Sequence, residues 1–211
     1  MKSTHKKKSS ARNKFIIASG GKNKTTPSAT LLHINTADKN DSEAIEAHYK
    51  ELINKGLNPR KIELVVTDML AAYREVIKKM FPNAFHQFCI FHVLQLVNGL
   101  FKDALKEDFR ALYALSQTEI QAIAYRDIII ENYQDKIAGT MQKALTFLTE
   151  NFEYTISYLK VGMLHAKTNN DAERIMRKIE RNQVIHYVFR KEESLIRHLK
   201  TRLGLIIPIA I

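Results

Sequence analysis

The chain of 211 residues contains a single cysteine, Cys89. That excludes an internal disulfide framework and a zinc site built from several cysteines, and it suits a reducing interior. The longest apolar stretch near the end, LGLIIPIAI at 203–211, is far too short to cross a bilayer and contains Pro208. The N-terminus is basic but lacks the apolar core of a secretory signal. These absences point to a cytoplasmic chain without a membrane partner. A glycine-rich phosphate loop is also missing, which argues against most kinases and dehydrogenases. So is any internal repeat. Most unusual is the absence of acid from the front of the chain: residues 1–37 hold no Asp or Glu.

What is present is an excess of positive charge. The formal net charge is +11, distributed as +8 over residues 1–24, −3 over 25–159 and +6 over 160–211. Basic ends around a near-neutral middle are the footprint of a polyanion binder, with a solubilising tail as the alternative for the N-terminal run. Apolar content of 45% and charged content of 26% are globular values, enough for one domain with a proper core.

The pattern along the chain alternates strands and helices. Residues 1–14 lack apolar periodicity and are expected to form a basic, disordered arm. KFIIAS and ATLLHI, separated by a polar connection, read as a β-hairpin. SEAIEAHYKELINKG places Ile45, Tyr49, Leu52 and Ile53 on one helical face, with Gly56 as its stop. KIELVVT reads as a buried strand. From Asp68 the period turns helical through Leu70, Tyr73, Val76, Ile77, Met80 and Phe81, until Pro82 and Asn83 break it. AFHQFC is a further strand, followed by a helix carrying Leu94, Val97, Phe101 and Leu105. Strand–helix alternation implies right-handed crossovers and an α/β sheet. Residues 107–160 look wholly helical.

Asp68 closes an apolar run just before a helix. In an open α/β sheet, chemistry gathers at the carboxyl ends of strands. Asp is equally a favoured N-cap, whose oxygen accepts a backbone N–H of the next turn. Spacing alone leaves both open. Downstream, His86, Cys89 and His92 recur every three residues, as zinc ligands can. A strand-to-helix transition would not put all three on one face, so a buried Cys and His packed behind a site is the expectation. A Cys–His nucleophile lacks an orienting third group.

A second acid lies in TNNDAERIMRKIERN. Asn170 followed by Glu173 is the Asn version of a capping box, so Glu173 has a purely structural reading. Beyond it, Ala172, Ile175, Met176 and Ile179 form an apolar stripe, and Arg174, Arg177, Lys178 and Arg181 form a basic one. A helix with one buried and one basic face suits contact with a phosphate backbone.

VVTDMLAAY, FHQFCIFHV, TNNDAERIMRKIE and YVFRKEESL, in that order, resemble the catalytic core of insertion-sequence and Mutator-like DDE transposases. The likeness runs from about residue 15 to 203, through a T-D strand end with a nearby A-Y, a C-x-x-H segment and an N-x-x-E helix. A Phe followed by Ser-Leu, as at Phe189, Ser194 and Leu195, extends it. The resemblance implies a ribonuclease H-like mixed sheet flanked by helices, with an all-helical insertion. Core segments at 15–106 and 161–204 would then bracket that insertion at 107–160, and 205–211 would be an apolar tail. It assigns Asp68 as the second acid of a metal-binding triad and Glu173 as the third, with Cys89 and His92 as the C-x-x-H pair and Asn170 before the acid. Hard carboxylate oxygens suit Mg²⁺ or Mn²⁺, and two such ions roughly 4 Å apart serve cleavage and strand transfer on DNA. It implies DNA as partner, with self-association or a full-length transposase as an oligomeric one.

The first acid of that triad belongs on a strand ahead of KFIIAS and ATLLHI. Asp38 and Asp41, the first acids present, fall instead in the turn before the Ser42 helix. The expectation is therefore a truncated or remnant transposase lacking its first catalytic acid. Two alternatives stand beside it. One is a non-catalytic nucleic-acid-binding regulator of a full-length transposase. The other is a different α/β enzyme in which Asp68 serves alone.

Overall fold

The computed structural model describes residues 15–22, 30–100, 103–136, 140–168, 174, 177 and 192–202. The arm at 1–14, the hairpin connection at 23–29, Phe101, Asn170, Glu173, Lys178, Arg181, Phe189 and the tail at 205–211 lie outside the described residues. Two compact units emerge, Met1–Asn58 with Asn170–Ile211, and Pro59–Asn169.

In the first unit, β1 (Phe15–Gly21) and β2 (Thr30–Ala37) pair antiparallel from Phe15↔Ala37 to Gly21↔Thr30. The register slips between Ser19 and Gly20, leaving Leu32 as an extra residue on β2. A Cβ on Gly21 would stand 2.6 Å from the Leu32 side chain, so the bulge closes over a position that only glycine fits without movement. Helix α1 (Ser42–Asn54) packs on β2. Asp41 caps it, accepting the Ala44 N–H at 3.0 Å. Gly56, at φ 109°, ends it: its N–H reaches Ile53 O, and Leu57 N–H reaches Leu52 O, a Schellman arrangement that buries Leu57. Ile17, Leu31, Ile34, Ile45, Tyr49 and Leu52 are buried in this unit. A C-terminal helix, Glu192–Arg202, also packs on β2.

The second unit contains the one parallel crossover among the described residues. A 3₁₀ turn (Pro59–Lys61) leads to β3 (Leu64–Thr67), then α2 (Ala72–Met80), then β4 (Phe85–Phe88), which pairs parallel with β3 in the register Leu64↔Phe85 to Thr67↔Phe88. Helices α3 (Ile90–Leu100), α4 (Asp103–Leu115), α5 (Glu119–Tyr133) and α6 (Thr140–Lys160) follow. They share one apolar core with β4: Phe88, Val93, Val97, Phe109, Leu112, Leu148, Phe152 and Ile156 are all buried in it. Glu192–Arg202 is α7.

The fold is thus mixed α/β. Strand–helix alternation suggests a single sheet, whereas the four described strands pair as two two-stranded sheets. The pairing follows from connection length. A short connection lets β1 and β2 pair as neighbours, and the α2 crossover is what permits parallel β3–β4 pairing. No helix among the described residues is long and apolar enough to cross a membrane.

Helix α6 fastens β4 along its length. Gln87, fully buried, donates to Thr155 O at 3.0 Å and accepts the Tyr158 N–H at 3.0 Å. Ser157 Oγ donates to His86 O at 2.8 Å. Backbone and amide groups that a two-stranded ribbon would leave exposed are thereby satisfied. Gly162, at φ 66°, closes α6, with its N–H on Leu159 O and Met163 N–H on Tyr158 O.

Candidate functional site

Asp68 stands at the carboxyl end of β3. The ladder runs one step past the strand: Cys89 N–H donates to Thr67 O at 2.7 Å, which pins the strand end beside the start of α3. The chain then turns rather than entering a helix. Asp68 Oδ1 accepts the Leu70 N–H at 3.1 Å, an Asx turn, and α2 begins only at Ala72, behind Ala71, which makes no side-chain cap. The N-cap reading of Asp68 is therefore corrected. Leu70 belongs to the turn, not to the helix its spacing suggested.

The carboxylate is half-buried. Six half-buried acids occur among the described residues: Asp41, Glu46, Glu51, Asp68, Asp108 and Glu119. Five have an evident structural task. Asp41 caps α1, Glu46 pairs with Lys50, and Glu51 holds Lys55 and Asn35. Asp108 accepts from Tyr133, and Glu119 faces Lys160 at 3.5 Å. Asp68 alone among them has no cation, no side-chain donor and no helix to cap. Its Oδ1 is held by one backbone N–H, and no described residue donates to Oδ2. Its charge is nonetheless felt nearby: burial, then the Asp68 carboxylate, pushes the Tyr73 phenol up to about 12.

Thr67 and His86 form the floor of this corner. Thr67 is 7% exposed and His86 8%. Thr67 Oγ1 donates to Asp68 O at 2.7 Å and lies 2.8 Å from His86 Nε2. The His86 ring stands edge-on to Phe88 at 5.2 Å and to Tyr154 at 5.4 Å. Arg74 covers the stacked Phe88 and Tyr154 rings at 5.4 and 5.0 Å and donates to Asn151. Burial, then the Arg74 charge, holds His86 down at about 4, so it is neutral at pH 7. The sequence pattern offers His86 as one of a metal trio or as a His packed behind a site, and the structure places it in the second position, behind Asp68. Its pairing with Thr67, nineteen residues away, is the span of one strand–helix–strand unit.

The C-x-x-H pair straddles the start of α3. Cys89 is fully buried and forms no disulfide, and its carbonyl accepts the Val93 N–H at 3.1 Å, the first turn of the helix. His92, half-buried, packs edge-on to Phe91 at 5.7 Å. His86 meanwhile turns towards Thr67. Among the described residues no group of three His, Cys, Asp or Glu side chains is placed to hold a metal ion.

The chain leading to the second acid is anchored close by. Lys167 O accepts the Ile90 N–H at 2.9 Å, directly after Cys89, and Lys167 Nζ donates to Tyr113 O at 2.7 Å. Asn170 and Glu173 follow three and six residues later and lie outside the described residues. Of the basic stripe, Arg174 and Arg177 are helical and exposed, and Lys178 and Arg181 lie outside.

Residues 6–204 match the family model described as Transposase, Mutator family, and the chain belongs to that family. No curated protein matches it.

Proposed function

We propose that this member of the Mutator transposase family acts on DNA by metal-dependent strand cleavage and transfer, with Asp68 and Glu173 as its metal-holding carboxylates. The observation that carries the reading is the state of Asp68. A half-buried carboxylate with one oxygen fixed by a backbone N–H, and no described residue donating to the other, leaves one oxygen open to a cation. Its place at the end of a parallel strand is where such chemistry gathers. One hard oxygen on a rigid turn fits Mg²⁺ or Mn²⁺, which choose carboxylates and water over nitrogen or sulfur.

When bound, the ions polarise a phosphodiester and lower the pKa of water or a 3′-hydroxyl. The chain's part is positional. The Asx turn aims the Asp68 carboxylate, while Lys167 O, bonded to the Ile90 N–H, ties the turn after α6 to the start of α3. Arg174, Arg177, Lys178 and Arg181 would contact phosphates, fixing the duplex without reading bases. We read the fold as ribonuclease H-like, on the β1–β2 hairpin and the parallel β3–α2–β4 crossover, with helices of 107–160 as the insertion.

Residues 1–37 contain no acid, so they supply no third carboxylate. On this reading the chain holds metal through Asp68 and Glu173 and binds DNA. The same observation favours the second reading, a DNA-binding regulator of an intact transposase. One experiment tests both: nicking of supercoiled plasmid with Mg²⁺ or Mn²⁺, alongside DNA binding, for the wild-type chain and Asp68→Asn. Asn keeps the Asx turn and removes the charge. Nicking lost in Asp68→Asn with DNA binding kept supports the enzyme, and DNA binding without nicking in either protein supports the regulator. Nicking equal in both rejects Asp68 as a catalytic carboxylate.

A further inference from the structure

Behind Asp68 runs a buried chain of hydrogen bonds that ends on a histidine. We propose that His86, acting through the Thr67 hydroxyl, is a positioning residue that fixes the Asp68 peptide and with it the direction of the Asp68 carboxylate. The inference rests on Asp68 being a metal-holding carboxylate.

The proton count gives the chain its direction. A threonine hydroxyl carries one proton, and Thr67 spends it on Asp68 O at 2.7 Å. The 2.8 Å contact with His86 must therefore be a bond from the imidazole, with Nε2 protonated and Nδ1 bare. The opposite arrangement would leave the Asp68 carbonyl without the threonine proton. It would also place a proton on Nδ1, which is buried and has no partner among the described residues. An orphaned buried donor costs more than a bare lone pair in the same place, so the first arrangement holds.

Three restraints then act on consecutive atoms. Thr67 O is held by the Cys89 N–H, Asp68 O by Thr67 Oγ1, and Asp68 Oδ1 by the Leu70 N–H. No described residue donates to Oδ2. Asp68 lies outside the β3–β4 ladder, so without Thr67 its peptide plane would be held on the carboxylate side alone. The His86 ring is buried edge-on against the stacked Phe88 and Tyr154 rings, and cannot turn away from Thr67 without opening the core. Groups that orient a ligand from behind are typically worth about 10- to 100-fold in metal affinity or activity.

The test uses the full chain and Mn²⁺ alone as probe, with binding read by electron paramagnetic resonance of free Mn²⁺. Thr67→Val keeps the shape and removes the hydroxyl, and His86→Leu removes the donor. Both are expected to weaken Mn²⁺ binding about 10- to 100-fold. Thr67→Ser and His86→Gln, which retain a hydroxyl and a donor of similar reach, should stay within about threefold of wild type. The double variant Thr67→Val/His86→Leu should bind no more weakly than Thr67→Val, because both act through one bond chain. Asp68→Asn separates the two levels. If Asp68→Asn abolishes Mn²⁺ binding while Thr67→Val and His86→Leu leave it unchanged, the Asp68 reading stands and the positioning role is overturned. If the wild-type chain shows no Asp68-dependent Mn²⁺ binding, both fall together. Should Thr67→Val or His86→Leu fail to fold, ¹⁵N NMR of the wild-type imidazoles decides. A slowly exchanging Nε2–H on His86 supports the bond chain, and an Nδ1–H tautomer overturns it.

Discussion

Mild acid should loosen the first unit through one buried imidazole. His48 lies on α1, 1% exposed, with its Nε2 2.8 Å from Ser19 Oγ on β1. His33 of β2 lies against it at 4.8 Å between ring centroids, and Tyr49 stands edge-on at 5.6 Å. Burial, and then the neighbouring His33, holds His48 down at about 3 against an ordinary 6.5. The Glu51 charge works the other way, and the Lys55 charge reinforces the shift. The unfolded chain takes up the proton near its ordinary value while the folded chain resists it, so stability falls as pH drops below 6.5 and goes on falling to about 3. By pH 5 the loss from this group is about 2 kcal/mol, a large share of a typical stability. Burial alone would push Glu51 up, but the hydrogen bond from Lys55 and the charges of His33 and Lys55 hold it below its ordinary 4.5. Its own contribution is therefore lost only as pH falls through that lower range, and the interval from pH 7 to 5 isolates the imidazoles. Urea unfolding at pH 7, 6 and 5 measures the slope, with amide exchange on α1 and β2 reporting the first unit. His48→Gln retains a side chain able to bond Ser19 but not to titrate. Its stability at pH 7 should be lower and its loss from pH 7 to 5 smaller by about 2 kcal/mol. An unchanged pH dependence in His48→Gln would refute the reasoning. His86, held at about 4, gives the same sign in the second unit, visible in exchange on β4 and α6.

Other perturbations probe the frame and the nucleic-acid contact. Phe88→Ala removes a fully buried ring stacked on Tyr154 and should cost about 3–5 kcal/mol in chemical denaturation. Gly162→Ala meets no atom within 4 Å but forces an L side chain into a left-handed backbone, so thermal unfolding should show a loss of about 1–2 kcal/mol from strain alone. Replacing both Arg174 and Arg177 by Ala should weaken DNA binding evenly across sequences. It should reduce the slope of log affinity against log salt by about 2, measured by fluorescence anisotropy.

The elements legible in sequence were those whose signals are local. Runs of apolar and β-branched residues marked β1, β2 and β3, and the spacing of Ile45, Tyr49 and Leu52 with a glycine behind them marked α1 and its end. Helix throughout most of 107–160 was equally plain, because no strand signal interrupts it. The start of α2 was misjudged for a physical reason. An aspartate before a periodic apolar run has the same signature whether its oxygen caps a helix or closes an Asx turn, and the two differ only in which N–H it meets. Nor could the Thr67–His86 bond be read, since it depends on the β3–β4 register, which a four-residue strand does not announce. The solitary state of Asp68 was likewise hidden. Whether an acid has a partner is a property of all the chain around it.

The C-x-x-H segment shows how a motif can mix chemistry with support. Cys89 and Asp68 are both tied to Thr67, yet they differ in kind. The Asp68 carboxylate is half-exposed and takes one hydrogen bond, whereas the Cys89 side chain is fully buried against the start of α3. Reactive thiols sit in partly exposed, electropositive surroundings, and Cys89 is fully buried. Its backbone does the visible work, bonding Thr67 O on one side and Val93 N–H on the other. Any residue of similar size supplies those two groups. Cys89→Ala should therefore lower stability by about 1–2 kcal/mol, the cost of a small cavity, and leave metal-dependent nicking within about threefold of wild type. Cys89→Ser, which buries a hydroxyl where the sulfur packs, should be the less stable of the two. Complete loss of nicking in Cys89→Ala, in protein whose unfolding midpoint has barely moved, would place the thiol in the chemistry and overturn this division of labour.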